Sequence, residues 1–414
     1  MSNAARWRSR WSRSVGLAAF LAVMGVGCGR SGSGGSSSDG WLEDARYDRK
    51  AMLLDLAAEV VRPEVAGFRQ DAAALAAAVS AWRKAGAAAD GRDAAQSAWQ
   101  AAWQRWQRLE VFQFGPAAMD SHAMRDRIYG WPVVSACAVD QGAAACDPSA
   151  ACDAAAALPN RKGLDALEFL LFRDSAEHEC PGPAAPKDWA GWSEAERWQR
   201  RAAWADAVAV DLVAAADALD QAWRADGGDY VSVLEHAGES GSAFPSLREA
   251  INHFTDALFY LDTETKTMKV GQPAGIAGNA CGIFGEPCLL ALESRWAWAN
   301  KAAILANLEA FATVVKGRPL AAGGRGPGVA AWLRAIDAAA LADTLESQVD
   351  AAIAAVTAIP GELDEALQGA ADGAGRKAVQ AAYDALVELM RTMKTQLLTT
   401  LGLDLPDAAA ADAD

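Results

Sequence analysis

Apolar residues recur at helical spacing along almost the whole chain. Residues 42–84 are rich in Ala and Leu with a period near 3.6, broken once by Pro63. Residues 90–112 predict a second helix, on which Trp99, Trp103 and Trp106 fall at i, i+4 and i+7 on one stripe. Such a stripe predicts core packing. Gly115-Pro116 should end this helix. Residues 117–160 read as irregular, with three Cys and many Gly and Ala, and such a region is either a functional loop or one pinned by disulfides. Further helices are predicted over 162–173, 193–223, 246–268 and 289–315, and then over 329–358 and 361–401 on either side of Pro360. Ser193 followed by Glu196 is a capping-box signature. Gly-rich stretches at 270–286 and 317–328 read as loops. No segment alternates convincingly as a strand, so the expected fold is all-α. Helices of this length must bury their stripes against one another, and two bundles joined near 225–245 fit the length.

Composition strengthens this picture. The chain has 414 residues, 52% of them hydrophobic, and mean hydropathy is +0.00. That supports a large packed core and excludes a mostly disordered chain. The formal charge of −15 argues against a nucleic-acid partner. At the N-terminus, Arg6, Arg8, Arg10 and Arg13 precede a short apolar run from Val15 to Met24. The run is too short to span a bilayer and predicts an export signal over residues 1–27. Cys28 follows small residues and stands where a bacterial lipoprotein is cleaved and lipidated; Gly25 replaces the commoner Leu of that site. Residues 28–41 form a Gly/Ser tether. The expected organisation is then a first helical bundle at 42–230, a second at 231–403 and a disordered acidic tail at 404–414. The expected location is the cell envelope: periplasmic, lipid-anchored and, because Gly29 is not Asp, on the outer membrane. Six Cys remain beyond Cys28, an even number that predicts disulfides, with a Cys281–Cys288 bridge the best single guess.

The familiar catalytic signatures are missing: no HExxH, no phosphate-binding loop, no GxSxG, and no CxxCH for haem. No nucleotide site is expected. The segment from Gly163 to Phe172 stands out instead. Asp165 and Glu168 sit at i and i+3 in an otherwise apolar helix, so they share a face. Buried carboxylates are costly unless they are paired or bind a cation. Either they look into a polar cleft or they meet Arg. Glu110 is a second oddity, because it ends a helix where the dipole disfavours an anion. An Arg or a metal should compensate it, unless it is simply solvated.

Several separated stretches together resemble the imelysin family. They are the Trp-rich helix ending in Glu110 and Phe114-Gly115-Pro116, the run from Arg125 to Pro132, the run from Lys162 to Phe172, Leu258 to Leu261 with Lys269 to Pro273, and Glu293-Ser294 with Ile304 to Glu309. The resemblance implies two related helical bundles packed around a shared cleft, and a link with iron uptake in bacterial envelopes. The family's founding member was described as a metallopeptidase. Its hallmark is Gly-x-His-x-x-Glu; here Gly163, Asp165 and Glu168 match, with Asp in place of His. Losing the imidazole weakens a peptidase and leaves cation binding, since carboxylates suit hard cations. The expectation is a non-enzymatic lipoprotein that binds a metal ion or small metal complex, iron first and calcium second. Its metal-facing residues would be Glu110, Asp165 and Glu168, with Arg127 and Glu293 as further cleft residues from family position. Its partners would be the metal or metal complex, the membrane through the anchor, and other iron-uptake components. The alternatives are a metallopeptidase with Glu168 as base, or an interaction protein in which Asp165 and Glu168 pair with Arg.

Overall fold

The computed structural model describes residues 46–406. The signal segment, Cys28, the tether and residues 407–414 lie outside them. Among the described residues the chain is helical with no strand, the one bridge being Pro319 against Arg325 in the Gly-rich loop. None of the described helices is long and apolar enough to cross a membrane.

The first half is built on α1 (Arg49–Asp55), α2 (Arg62–Lys84), α3 (Asp93–Leu109), α4 (Met119–Ile128), α5 (Ala136–Ala145), α6 (Gly163–Phe172) and α7 (Glu194–Trp223). Here α2, α3 and α7 pack side by side, with α5 and α6 laid against α7. The α3 stripe is core, as its spacing predicts: Trp99, Trp103 and Trp106 are all fully buried. The Ser193–Glu196 capping box is formed. A short α8 (Tyr230–Glu235) leads into α9 (Leu247–Leu258) and a π-helical segment, Leu261–Gly271. The second half continues with α10 (Asn300–Lys316), α11 (Val329–Ala335), α12 (Ala339–Thr357), α13 (Leu363–Gln368), α14 (Ala374–Thr392) and α15 (Leu398–Leu401).

The predicted helices at 329–358 and 361–401 are each interrupted, at 336–338 and 369–373, and four further stretches differ from the sequence reading. Pro63 breaks nothing: a π-turn at Leu56–Val61 precedes it, and the widened turn takes up the missing N–H so that helix runs through from Arg49. Residues 117–160 are only partly irregular: they carry α5 and α4, the latter interrupted by left-handed Asp120, Ser121 and His122, and they are pinned by the Cys137–Cys180 and Cys146–Cys152 disulfides. The predicted helix at 246–268 is α only to Leu258 and then π-helical. The predicted helix at 289–315 begins only at Asn300; residues 292–299 form a loop, fixed by side-chain hydrogen bonds rather than by helical ones. The Cys281–Cys288 bridge is formed as expected. Asp404, assigned to the tail, is tied to Asn252 at 2.5 Å and Arg248 at 3.2 Å.

The halves meet where α3 packs on α10. The N-terminal segment also reaches across to the second half: Tyr47 stacks on Trp332 and donates to the Gly328 carbonyl at 3.0 Å, and Asp55 pairs with Arg318 at 2.9 Å. The functional interest lies on the seam between the halves.

Candidate functional site: a buried polar seam and its pocket

The first arm of the seam is set by α3. Its last turn tightens into a 3₁₀ turn, Glu110–Phe112, before Gly115-Pro116 stops it, and Glu110 is left fully buried at the helix end. The compensation its position demands is a cation. Lys269, from the π-helical segment, places Nζ 2.8 Å from Glu110 Oε2 and 2.9 Å from Glu293 Oε1, and donates to Gln107 Oε1 at 2.6 Å. All three ammonium protons are thus used inside the protein. Burial opposes the charge on Lys269, but Glu110 and Glu293 outweigh it and hold the ammonium above its usual range. Tyr260 donates to Glu110 Oε2 at 2.6 Å, while Tyr129 and Gln107 Nε2 donate to Glu293 Oε1 at 2.8 and 2.9 Å. Asn307 on α10 donates to the Gln107 carbonyl at 2.6 Å. Every one of these cross-connections joins one half of the chain to the other, except those between Lys269 and Glu293, Tyr129's phenol and Gln107 being first-half donors.

The second arm is the α6 helix. Gly163 opens it at φ +85, and a Cβ there would stand 2.8 Å from the Ile128 carbonyl, so this motif position requires glycine. Asp165 and Glu168 are both buried, at 5% and 1% exposure, and among the described residues neither meets an Arg within ion-pair distance. Glu168 Oε1 accepts from the Ser294 hydroxyl at 2.8 Å and from the Trp296 and Ala297 amides at 3.0 and 2.8 Å. Glu168 therefore latches the 292–299 loop to α6. Burial pushes its carboxyl up to about 7 against those three donors. Burial, then Glu168 and Glu293, hold Asp165 well above the carboxylate range, and its protonated carboxyl donates to Glu168. Glu293 too is raised by burial, with Lys269 opposing.

Where the arms meet, a pocket of about 170 Å³ opens on the seam. Trp131 and Asp165 face it from the first half, and Leu290, Glu293, Arg295 and Trp296 from the second. Glu293 belongs to both arms. Its Oε1 is spent on the network, whereas Oε2 is buried with no hydrogen-bond partner; Glu110 Oε1 is in the same condition. The arrangement can accept a cation or a strong donor, because unsatisfied buried carboxylate oxygens are costly.

The expected residues thus separate. Asp165 and Glu293 face the pocket, Glu110 lies deeper in the seam on Lys269, and Glu168 is engaged by the loop. Arg127 is not in the cleft. It pairs with Asp211 at 2.5 Å, beside Lys162, and a third of its side chain is exposed. Among the described residues no group of three or more His, Cys, Asp or Glu is disposed to hold a metal ion. Sequence reasoning assigned no role to Lys269, Gln107, Tyr260 or Arg295. The available signal was Lys269 in an amphipathic segment: a Lys at a buried position needs an acid, and Glu110 needed a base.

Comparison with known proteins places this geometry in context. Over 219 residues the chain is 30% identical to the iron-regulated protein A of Synechococcus elongatus, a match spanning 52% of each protein, so the chain spans about half the length of that curated relative. The fold is similar to the crystal structure of an imelysin-like protein from Psychrobacter arcticum, with a TM-score of 0.64 at 20% identity over 86% of this chain and 96% of that one. The imelysin (peptidase M75) profile matches residues 61–393, a span that contains both arms of the seam, and the chain belongs to the imelysin family.

Proposed function

We propose that this protein is a non-enzymatic binder of the bacterial envelope that takes up a metal ion or small metal complex in the seam pocket, in the service of iron handling. One observation carries the reading: Glu293, which lines the pocket with Asp165, has a buried Oε2 without a hydrogen-bond partner. A cation arriving there supplies the partner the oxygen lacks and displaces the Asp165 proton. Iron is the first candidate, since carboxylate oxygens suit hard cations and the Synechococcus relative is named for iron regulation; calcium is the second. The three disulfides suit an exported chain, and lipid at Cys28 would hold the body on the outer membrane, where its partners would be iron-uptake components.

Elemental analysis of protein isolated from its native envelope tests this. Iron near one equivalent is expected, falling at least tenfold in Glu293→Gln. Metal content at background in the parent protein would end the reading. Chelator-sensitive cleavage of a peptide library by the purified chain would replace it with a metallopeptidase.

A further inference from the structure

We propose that the cargo of the seam pocket is a metal ion already carried by a small polycarboxylate chelator, with Arg295 gripping a chelator carboxylate while Asp165 and Glu293 face the metal. The inference rests on the metal-binding reading above and narrows it.

Three observations converge. The first is the donor set. Asp165 and Glu293 are the acidic side chains on the pocket wall, and no larger cluster of metal-binding side chains exists among the described residues. Hard cations such as Ca²⁺ take 6–8 oxygen ligands, so two carboxylates leave most positions to be filled from elsewhere. The second is Arg295. Arg295 lines the same pocket as Asp165 and Glu293. It rests on the Trp296 ring at 4.9 Å and makes no ion pair within 4 Å among the described residues. A bare cation would be repelled by this charge. A cation bearing a carboxylate chelator converts the repulsion into a two-pronged hydrogen-bonded contact, for which guanidinium geometry is suited. The third is size. Pockets for drug-sized ligands run to ~300–1,000 Å³. A space of about 170 Å³ is on the scale of a metal with a compact chelator. The apolar wall of Trp131, Leu290 and Trp296 suits the carbon skeleton of such a chelator.

Isothermal titration at pH 7 with ferric citrate, with Mn²⁺, with anaerobic Fe²⁺ and with metal-free citrate tests the proposal. Ferric citrate should bind at least tenfold tighter than either bare ion or free citrate. Arg295→Gln should weaken ferric citrate at least tenfold and leave Mn²⁺ and Fe²⁺ unchanged or tighter. Arg295→Lys, which keeps the charge and loses the fork, should fall between. Both variants should melt with the parent chain, since Arg295 makes no buried ion pair. Bare ions binding as tightly as ferric citrate would overturn the chelate while leaving metal binding intact. Free citrate binding as tightly as ferric citrate, or an Arg295→Gln curve matching the parent's, would overturn it as well. Binding of none of the metal forms would remove the chelate and the proposed function together.

Discussion

Lys269 shows how far a single residue governs the seam. It is 2% exposed and neutralises two carboxylates that are themselves buried. Removing one partner of a buried ion pair leaves an uncompensated charge and costs about 3–5 kcal/mol. Lys269→Ala should therefore lower unfolding free energy in denaturant by about that much, because Glu110 and Glu293 lose their shared cation. Restoring neutrality with Glu110→Gln and Glu293→Gln beside Lys269→Met should recover much of the loss; no recovery would mean that packing, not charge, sets the cost. Asp165 gives the opposite sign. Its folded carboxyl keeps a proton that the unfolded chain gives up in the ordinary carboxyl range, and Glu168 behaves likewise up to about 7. The folded state therefore binds more protons above that range, and stability falls as pH rises from 4 towards 7 and beyond. Asp165→Asn keeps the donor to Glu168 and removes that titration. Its melting temperature should exceed the parent's by a margin that widens between pH 5 and pH 8. A margin constant with pH would show Asp165 to be ionised in the fold. In the sequence, the cost of burying Asp165, Glu168 and Glu110 was legible from their apolar or dipolar settings. Their partners were not, because Lys269 lies 159 residues from Glu110 and nothing local marks so distant a pairing.

Among the elements, the 292–299 loop was the hardest to foresee. Its Leu, Trp and Ala content has helical character, yet Glu168 captures the Trp296 and Ala297 amides and the Asn300 side chain bonds both the amide and the carbonyl of Ser294. Tertiary partners here override local propensity. The amphipathic helices α2, α3 and α7 and the capping box of α7 were readable because each rests on contacts within a few turns. The two long π-turns were not readable, since they hold the same apolar stripe at a slightly wider pitch. The α6 helix joins both cases: its span was evident, and its glycine is explained only by the Ile128 carbonyl beside it. Gly163→Ala should cost about 1–3 kcal/mol, the range for a strained left-handed non-glycine backbone, and the clash with the carbonyl should place it at the upper end. A chemical melt of the variant superimposing on the parent's would mean that α6 can shift away from Ile128 freely.

Across the whole molecule, the polar seam is a candidate for what makes the two halves respond together. Tyr260 and Lys269 reach Glu110, Tyr129 reaches Glu293, Ser294 reaches Glu168 and Asn307 reaches the Gln107 backbone, all between first-half and second-half residues. Apolar packing of α3 on α10 runs alongside them. A chain of this size commonly departs from a single transition when its parts are loosely joined. Here buried Glu110 and Glu168 draw partners from the second half and Glu293 draws two of its donors from the first, so opening the seam exposes unpaired charges on both sides at once, which favours one cooperative event. Calorimetry at pH 7 should accordingly show a single unfolding peak for the parent chain. Lys269→Ala combined with Asn307→Ala removes the cation and the carbonyl clamp while leaving most α3–α10 apolar contacts in place, and its peak should broaden or split as the halves melt apart. If the double variant instead melts in one sharp peak at a lower temperature, the coupling resides in the apolar interface and in the N-terminal segment that spans it through Tyr47 and Asp55. Ligand bound to Asp165 and Glu293 would in that event stabilise both halves without depending on the polar network, and the rise in melting temperature with ferric citrate should survive the double substitution.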